Sequence, residues 1–507
     1  MLYGDWIGRA AKSFPQVEAI VDIPRNQRLT YQELSAGINR LGRFLFNELG
    51  IQKGDRIAVL AFNRADYITL FFAASRIGAI LVPLNFRLAL DEFLYFFKDA
   101  EPKAFFFDAD HLETVRELKP RLAVSHYVCL DREDSPGPSL PTLLAKFSAD
   151  SLPEIDLGPQ DPQLIIYTSG TTGVPKGVVM THGMITWNSI ITRMGWGLHF
   201  HERTILHSAL FYTAGWNVFT LPLFHGYGTN ILVDRFEPNL VVDLIQRERV
   251  SVFFAVPTMY QMMIESPGFA AADFSNIWLM VSGGAPLTEK IFQTFKQEKG
   301  IHLREGYGLT EVGPNIFMAN GKLKTVGHPM PHVDMKVIGS DGQELPQGQQ
   351  GELIVRGDNI CDGYWKKPEA SREALVDGWF HTGDLVEVDE DGHFRIVGRK
   401  KDMYISGGIN IYPAEVERII EAHPSVAAVA IIGVPDERWG EVGKACIQCQ
   451  TGKGLTLEEL QNFLNDKMAK YKIPKYLVLV EALPRTVASE KVQKFKLKEK
   501  HGKPDNT

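Results

Sequence analysis

The sequence predicts an α/β fold in two parts, a large N-terminal domain of parallel sheets covered by helices and a small C-terminal α+β domain. Apolar segments rich in Val, Ile and Phe alternate with amphipathic helical patterns along most of the chain, which is typical of parallel sheets flanked by helices. The 507 residues exceed what one hydrophobic core usually supports, so we expect at least two domains. Near Val333 the pattern changes to short strands separated by turns.

In the N-terminal part, the alternation begins with an apolar strand at residues 56–60 and a helical pattern at 65–77. Further strand-like runs occupy residues 104–107, 164–167, 204–207, 252–255 and 278–281. From 333 to 398, turn sequences such as SDG at 340–342 and EDG at 390–392 predict a β-rich subdomain.

A second βα pattern follows from residue 405, with helices predicted at 413–422 and 457–468 and strands at 427–432 and 476–480. The charged quartet RKKD at 399–402 lies at the junction and predicts a linker or hinge, although a solvated strand end would have the same sequence. We therefore predict domains at 1–399 and 400–507.

Charge, apolar stretches and cysteine content argue against several classes of protein. Acidic residues outnumber basic ones by 61 to 54, for a net charge of −7, which argues against a nucleic-acid-binding surface. No apolar stretch reaches the roughly 18 residues needed to cross a bilayer, and the N-terminus is charged where a signal peptide is apolar, so we expect a cytoplasmic protein. Cys446 and Cys449 form a C-x-x-C, but a strand would direct them to opposite faces, which disfavours a metal or redox site.

The loop YTSGTTGVPKG at 167–177 predicts a nucleoside triphosphate site. Its glycines let backbone N–H groups face phosphate oxygens, its hydroxyls add donors and Lys176 adds a positive charge. The loop follows an apolar strand, and ligands of α/β sheets bind where strands end. Because Lys176 lies between Pro175 and Gly177, the spacing differs from the ordinary phosphate loop of kinases and ATPases. The alternative is a flexible surface turn.

This loop resembles the signature of the adenylate-forming superfamily of acyl-CoA synthetases, luciferases and peptide-synthetase adenylation domains. Five further blocks follow in the family's order: SGGAPL at 282–287, GYGLTE at 306–311, GWFHTGDL at 378–385, GRKKDMYISGGINIYPAEVE at 398–417 and LPRTVASEKVQK at 483–494. The resemblance implies an ATP-dependent carboxylic acid–CoA ligase that uses ATP, Mg²⁺ and coenzyme A. It forms acyl-AMP and pyrophosphate, then acyl-CoA and AMP. It also implies a mobile C-terminal domain with its hinge at Lys401.

The resemblance assigns residues to each part of ATP. A carboxylate needs activation, and positioning together with charge neutralisation on the phosphates achieves it. Glu311 is the implied magnesium ligand, and Thr310 contacts the α-phosphate. Asp384 is implied as the ribose ligand, with Arg399 as a second ribose or phosphate contact. The implied phosphate ligands are Thr168, Ser169, Gly170, Thr171, Thr172, Gly173 and Lys176.

Tyr307 offers a flat face for adenine, although a core aromatic residue is the alternative. The small residues that let the base approach the backbone are Gly283, Gly284, Ala285 and Gly308.

The adenylation lysine is placed at Lys491, with Lys494 as the second candidate. The family usually reads Thr-x-x-Gly-Lys, whereas this chain has one extra residue and Glu490 in place of the glycine. The lysine would bridge the carboxylate and the ATP phosphates. The later lysines at 494–503 form a basic tail that could meet coenzyme A phosphates or be a solvated terminus.

For thioester formation we expect an external thiol, since no cysteine lies in a nucleophile setting. The resemblance implies coenzyme A, whose pantetheine arm would pass the glycines Gly407 and Gly408. A rotation about Lys401 between the two half-reactions follows as a hypothesis.

The acid is expected to be hydrophobic, fatty or aryl. The segment SALFYTAGWN at 208–217 occupies the family's acyl-gating position and predicts an aromatic wall from Tyr212, Thr213 and Trp216, with space beside Gly306. Tyr212 and Trp216 could also be core residues. Three rivals remain: a ligase that loads a carrier-protein phosphopantetheine, a luciferase-like oxygenase and a degenerate nucleotide-binding regulator. The oligomeric state is left open, with a homodimer as one option.

Overall fold

The computed structural model describes residues 5–132, 139–168, 175–407, 409–465, 467–485 and 492–504, without the side chain of residue 410. The chain divides into two compact units. The first comprises residues 1–335 and 355–380, and the second comprises 336–354 and 381–507. The second unit thus includes part of the segment predicted as a β-rich subdomain, while the hinge near residue 401 stays a prediction.

The first unit contains thirteen α-helices within the described ranges. Most of them bury one apolar face, whereas α3, α7 and α9 are buried along most of their residues. The helices are α1 (Trp6–Ser13), α2 (Tyr31–Arg43), α3 (Ala65–Arg76), α4 (Leu90–Ala100), α5 (Leu112–Leu118), α6 (Leu140–Leu144), α7 (His182–Trp196), α8 (Thr213–Asn217), α9 (Thr220–His225), α10 (Pro238–Arg247), α11 (Pro257–Ile264), α12 (Glu289–Lys299) and α13 (Pro368–Ala374).

The strands up to residue 329 are mostly short, four to seven residues, and fully buried where they pass through the centre of a sheet. They are β1 (Glu18–Asp22), β2 (Gln27–Thr30), β3 (Arg56–Leu60), β4 (Ile80–Pro83), β5 (Ala104–Phe107), β6 (His126–Cys129), β7 (Pro162–Thr168), β8 (Lys176–Thr181), β9 (Arg203–Leu206), β10 (Thr229–Leu232), β11 (Val252–Ala255), β12 (Leu279–Ser282), β13 (Arg304–Glu305), β14 (Phe317–Met318) and β15 (His328–Pro329).

These strands form three main sheets, which confirms the predicted α/β class. A six-stranded sheet has the order β6-β5-β3-β4-β7-β8, a four-stranded sheet β2-β1-β10-β9 and a three-stranded sheet β11-β12-β13. The central pairs are parallel, as predicted. Two edges are antiparallel, where β2 returns beside β1 and β8 returns beside β7. Short connections join these edge pairs, because an antiparallel return needs only a turn or loop.

The β-rich segment forms a five-stranded sheet of β16 (Asp334–Ile338), β17 (Gly351–Arg356), β18 (Leu375–Val376), β19 (Trp379–Val388) and β20 (Phe394–Arg399). Its order is β16-β17-β19-β18, with β20 beside β19.

The remaining part of the second unit is an α+β arrangement, as predicted. A second five-stranded sheet contains β21 (Tyr404–Ser406), β22 (Ile409–Ile411), β23 (Val426–Asp436), β24 (Gly440–Cys449) and β25 (Tyr476–Leu479). The helices are α14 (Pro413–Ile420), α15 (Leu457–Asn465) and α16 (Lys494–His501). Cys446 packs in the core on one face of β24 and Cys449 against the core on the other. The expectation that this pair faces opposite sides is confirmed.

Across the described ranges, no helix is both long and apolar enough to span a bilayer.

Candidate functional site

Thr168 and Lys176 face each other where the hairpin of β7 and β8 opens into the glycine-rich loop. They are paired in the antiparallel register, and the Thr168 hydroxyl lies 3.4 Å from the Lys176 carbonyl oxygen, to which it donates. The hairpin therefore fixes both ends of the loop on a buried sheet. The other predicted phosphate ligands, Ser169, Gly170, Thr171, Thr172 and Gly173, lie outside the described residues.

Tyr364 brings two predicted site residues together. The Lys176 ammonium lies 4.9 Å from the centre of the Tyr364 ring, and the Tyr364 hydroxyl donates to Glu311 Oε1 at 3.1 Å. Burial, and then the Glu311 carboxylate, raise the pKa of Tyr364, so its hydroxyl keeps the proton it donates. Nothing in the local sequence pattern distinguishes a tyrosine that contacts a carboxylate from one on the surface, so the sequence does not indicate this residue.

Residues 359–367, which we call the strap, hold Glu311 and the hairpin at once. The Cys361 N–H donates to the Glu311 carbonyl at 2.8 Å, and the Asn359 amide donates to the Val312 carbonyl at 2.5 Å. Burial raises the pKa of the Cys361 thiol, so this cysteine stays neutral and is no nucleophile.

The strap also pairs with β8 through an isolated antiparallel bridge between Tyr364 and Val178. The Val179 N–H donates to the Gly363 carbonyl at 3.0 Å, and the Trp365 N–H donates to the Gly177 carbonyl at 2.7 Å. The Tyr364 backbone lies between these two bonds, which fixes its position relative to Lys176 at the start of β8.

The C-terminal end of α4 anchors the strap and the hairpin together. The Asp99 carbonyl accepts from the Trp365 indole N–H at 3.2 Å, and the Asp99 carboxylate accepts from the Tyr167 hydroxyl at 2.6 Å. Lys366 pairs with Glu101 at 2.7 Å. Because one aspartate binds both the strap and β7, the base of the glycine-rich loop is tied on two sides.

The blocks SGGAPL and GYGLTE lie side by side at the ends of neighbouring parallel strands. Ser282 at the end of β12 pairs with Glu305 at the end of β13, and the Gly306 N–H donates to the Ser282 carbonyl at 2.7 Å. A Cβ at Gly308 would lie 2.4 Å from the Gly313 carbonyl oxygen, so only glycine fits there. The structure thus brings together the strand ends that carry the predicted adenine-side residues Gly283, Gly284, Ala285, Tyr307 and Gly308, together with Gly306, which was predicted beside the acyl group.

Tyr307 is half-buried and meets Phe317 edge to face, with ring centres 5.7 Å apart. Part of the Tyr307 side chain is therefore accessible, and its predicted role as a stacking face for adenine stays a prediction. Thr310 and Glu311 follow in a 3₁₀ turn, Thr310–Val312, and both are half-buried.

Glu305 is a half-buried residue whose Oε2 atom is shielded from solvent, and no sequence motif indicates it. Its Oε1 accepts from the Leu287 N–H at 3.4 Å, which links the two adenine-side blocks. Burial raises the pKa of Glu305 to about 7, and the Leu287 N–H offsets only part of that rise.

The predicted acyl wall divides into buried and accessible residues. Trp216 is fully buried, donates from its indole N–H to the Leu210 carbonyl and packs on Phe71 with ring centres 4.5 Å apart. Of the two roles left open for Trp216, the structure therefore shows the core role. Tyr212 and Thr213 are half-buried at the start of α8.

In the second unit, Asp384 and Arg399 are paired residues on β19 and β20. Arg399 Nε contacts Asp384 Oδ1 directly, and the carboxylate side chain is almost completely buried. Lys401, the predicted hinge residue two positions further on, is exposed, and partial desolvation of its ammonium lowers its pKa. The Gly407 N–H donates to the Trp439 carbonyl at 2.8 Å, while Gly408 lies outside the described residues.

Of the two candidate adenylation lysines, Lys491 lies outside the described residues. Lys494 begins α16, and its ammonium lies 2.7 Å from Glu417 Oε1, with both side chains 15% exposed. The same Glu417 oxygen accepts from the Ile431 N–H at 2.6 Å. Lys494 is therefore held inside the second unit by a partly buried ion pair.

Comparison with known proteins gives matches along nearly the whole chain. The profile described as AMP-binding enzyme matches residues 7–365, and the profile described as AMP-binding enzyme C-terminal domain matches 415–490. Feruloyl-CoA synthase of an Amycolatopsis species is 38% identical, covering 98% of this chain and 99% of its own. Indoleacetate–CoA ligase of Aromatoleum aromaticum is 34% identical, covering 97% of each chain. The ATP-bound crystal structure of MatB from Rhodopseudomonas palustris superposes with a TM-score of 0.88 at 30% identity, covering 99% of each chain.

Proposed function

The chain belongs to the AMP-binding enzyme family and is an ATP-dependent acid–CoA ligase, and we propose here which of its residues perform each half-reaction. The substrate is a hydrophobic carboxylic acid, fatty or aryl, in keeping with the acids named for its relatives. The acid displaces pyrophosphate from ATP to give acyl-AMP, and a thiol then displaces AMP. The observation that carries the assignment is the convergence of Lys176 and Glu311 on Tyr364, beside a glycine-rich loop.

In the first half-reaction, Lys176 and the loop residues 168–173 bind the outer phosphates of ATP. Their positive charge and N–H groups offset the repulsion between the triphosphate and the incoming carboxylate. Thr310 is assigned to the α-phosphate. Tyr307 stacks on adenine, beside the glycines at the ends of β12 and β13.

Glu311 is assigned as a protein ligand of Mg²⁺. Its carboxylate is a hard oxygen donor, half-buried and held by the Tyr364 hydroxyl, and Mg²⁺ usually combines one or two carboxylates with substrate phosphates. These residues fit the ion. When bound, Mg²⁺ neutralises negative charge on the phosphates.

Asp384 and Arg399 are assigned to the ribose or a phosphate. The Asp384 carboxylate already forms an ion pair with Arg399. A ribose or phosphate bound at this position would therefore contact Asp384 and Arg399 together. Gly407 and Gly408 are assigned to the pantetheine arm of coenzyme A, and Lys401 to the hinge of a rotation between the half-reactions.

The reaction is tested by pyrophosphate and AMP release with ferulate, indoleacetate and a long-chain fatty acid, each with and without coenzyme A. We expect AMP formation that requires an acid, and acyl-CoA that requires the thiol. Formation of ADP would contradict the proposal. A phosphopantetheinylated carrier protein in place of coenzyme A tests the alternative acceptor.

The adenylation lysine is tested by Lys491→Ala with Lys494→Ala as the matched control. Loss of Lys491 should slow acyl-AMP formation by about 100-fold or more, the usual effect of removing one charge-stabilising donor. It should spare thioester formation from supplied acyl-adenylate.

Lys494→Ala should instead lower stability with little effect on adenylation, since it breaks the ion pair with Glu417. Equal loss of both half-reactions in Lys491→Ala would contradict the division between them.

A further inference from the structure

We propose that Tyr364 is a positioning residue that fixes the Glu311 carboxylate and the Lys176 ammonium relative to each other before the nucleotide binds. Its hydroxyl donates to Glu311 Oε1 at 3.1 Å, and its ring faces the Lys176 ammonium at 4.9 Å. The inference rests on the proposed function, which gives those two residues their ligands.

The position of Tyr364 is itself strongly determined. Its neighbours Gly363 and Trp365 are bonded to β8 through their main chains, and the Tyr364 N–H donates to the Ser371 hydroxyl at 2.9 Å. Gly363 has a φ of +116°, and a Cβ there would lie 2.5 Å from the Ser371 hydroxyl oxygen. The backbone conformation that aims the tyrosine is therefore available only to glycine at the preceding position.

The two contacts of Tyr364 act on different charges. The hydroxyl holds one oxygen of the Glu311 carboxylate, which restricts the rotation of that group and leaves its other oxygen available to a ligand. The electron-rich ring face attracts the Lys176 ammonium and keeps a flexible side chain in one region. Without the tyrosine, each side chain would have to be ordered by the nucleotide and its cation, at a cost in affinity.

The strap holds the backbone of Glu311 as well as its side chain. The Cys361 N–H holds the Glu311 carbonyl, so main chain and side chain of the same glutamate are bound by residues three apart. A merely structural tyrosine would need neither the hydroxyl contact nor the ring contact, because the main-chain bonds alone hold the strap on β8.

The test uses the full-length protein and three variants. Tyr364→Phe removes the hydroxyl and keeps the ring, and Tyr364→Leu removes both. Tyr95→Phe is the matched control, since its hydroxyl donates to the Pro175 carbonyl at 2.9 Å at the base of the same loop and Glu311 is not its partner. Binding of Mn²⁺ is followed by electron paramagnetic resonance in the presence of α,β-methylene-ATP, and binding of the analogue without metal by calorimetry.

We expect Tyr364→Phe to weaken Mn²⁺ binding about tenfold or more, the usual effect of removing a partner that orients a metal ligand. Its affinity for the analogue without metal should stay within about twofold of the original protein, and excess Mg²⁺ should restore pyrophosphate release. Tyr364→Leu should in addition weaken metal-free binding of the analogue, because Lys176 loses its ring contact. In a Glu311→Gln background, Tyr364→Phe should have no further effect on Mn²⁺ binding.

An Mn²⁺ affinity of Tyr364→Phe within about twofold of the original protein, or an equal loss in Tyr95→Phe, would overturn the inference and leave the proposed function standing. If the unaltered protein binds no Mn²⁺ with the analogue and releases no pyrophosphate, the proposed function fails and the inference with it. Because Tyr364→Phe retains the ring and every main-chain bond of the strap, the result does not depend on whether Tyr364→Leu folds.

Discussion

At the scale of single residues, the environment of Glu305 beside the adenine-side blocks destabilises the charged form of its carboxyl group. Its Oε2 has no hydrogen-bond partner among the described residues, and its Oε1 receives one long bond from Leu287. Burial raises its pKa from 4.5 to about 7. Between those two pH values the folded protein therefore keeps a proton that the unfolded chain has released.

This pKa difference predicts the pH dependence of a Glu305→Gln variant. The contribution of Glu305 to the free energy of unfolding falls as pH rises from 4.5 to 7, by about 3 kcal/mol in total. Glutamine has the same shape without the charge, so the variant should gain stability relative to the original protein above pH 7 and match it near pH 4.5. Urea unfolding at both pH values measures the difference, and equal gains at the two values would contradict the assignment.

At the scale of elements, the hairpin of β7 and β8 is the feature on which the candidate site depends. Its two strands carry Thr168 and Lys176 at the mouth of the loop, and the strap pairs with the outer side of β8 through one bridge at Tyr364. Gly177 on β8 is paired with Tyr167 on β7, and its carbonyl accepts from Trp365 of the strap. A Cβ there would lie 2.7 Å from Ile165 Cγ2 and 3.2 Å from the Tyr167 ring.

We therefore expect Gly177→Ala to destabilise the protein by about 1–3 kcal/mol, the usual cost of overpacking a buried site. It should also raise the KM for ATP, because Lys176 is the neighbouring residue. Gly37→Ala in α2 is the matched control. Its added Cβ would make an ordinary contact of 3.5 Å with Thr69, and alanine should stabilise the helix by up to about 1 kcal/mol. Thermal unfolding and ATP-dependent pyrophosphate release of the two variants separate these effects.

The same elements show what the sequence can and cannot predict. The strands at 56–60, 104–107 and 252–255 are found with the predicted bounds, because each is an apolar run that a turn or a change of pattern ends. The adenine-side blocks also come together as expected, since their strands are neighbours in a parallel sheet.

Tyr364 and Glu305 could not be predicted from the sequence, because the contacts that give them a role are made with residues far away in the chain. Tyr364 contacts Glu311 across 53 residues, and Glu305 reaches Leu287 across 18. Trp216 shows the opposite problem, since an aromatic residue in a predicted pocket segment has the same local sequence whether it faces the pocket or the core.

At the scale of the whole molecule, three histidines, the buried His182 and His207 and the half-buried His225, make the first unit sensitive to acid. Burial lowers the pKa of His182, His207 and His225 from 6.5 to about 4 in each case. The unfolded chain therefore binds more protons than the folded protein between these pH values, and the free energy of unfolding falls as pH decreases through that range. Each histidine contributes about 3 kcal/mol, so the three together exceed the opposite effect of the single Glu305, which is also about 3 kcal/mol.

Urea unfolding monitored by tryptophan fluorescence should therefore show midpoints that fall steadily from pH 6.5 to pH 4.5. His225→Phe should reduce this slope, since His225 stacks on Trp6 with ring centres 4.4 Å apart and phenylalanine can keep that stacking without a charge. His201→Gln, at an exposed position, should leave the slope unchanged. A slope that His225→Phe does not alter would contradict the role given to its burial.

The strap has a consequence for how the protein is made on the ribosome. Trp365 and Asp99 bond to each other across 266 residues of chain, so the growing polypeptide exposes α4 and the glycine-rich hairpin long before their partner is translated. At about 5–20 residues per second, that interval is roughly 10–50 s. Late in this interval, after residue 311, the nascent chain contains both Lys176 and Glu311 but lacks the tyrosine that orders them, which follows 53 residues later. Competence to bind nucleotide therefore arrives late in translation.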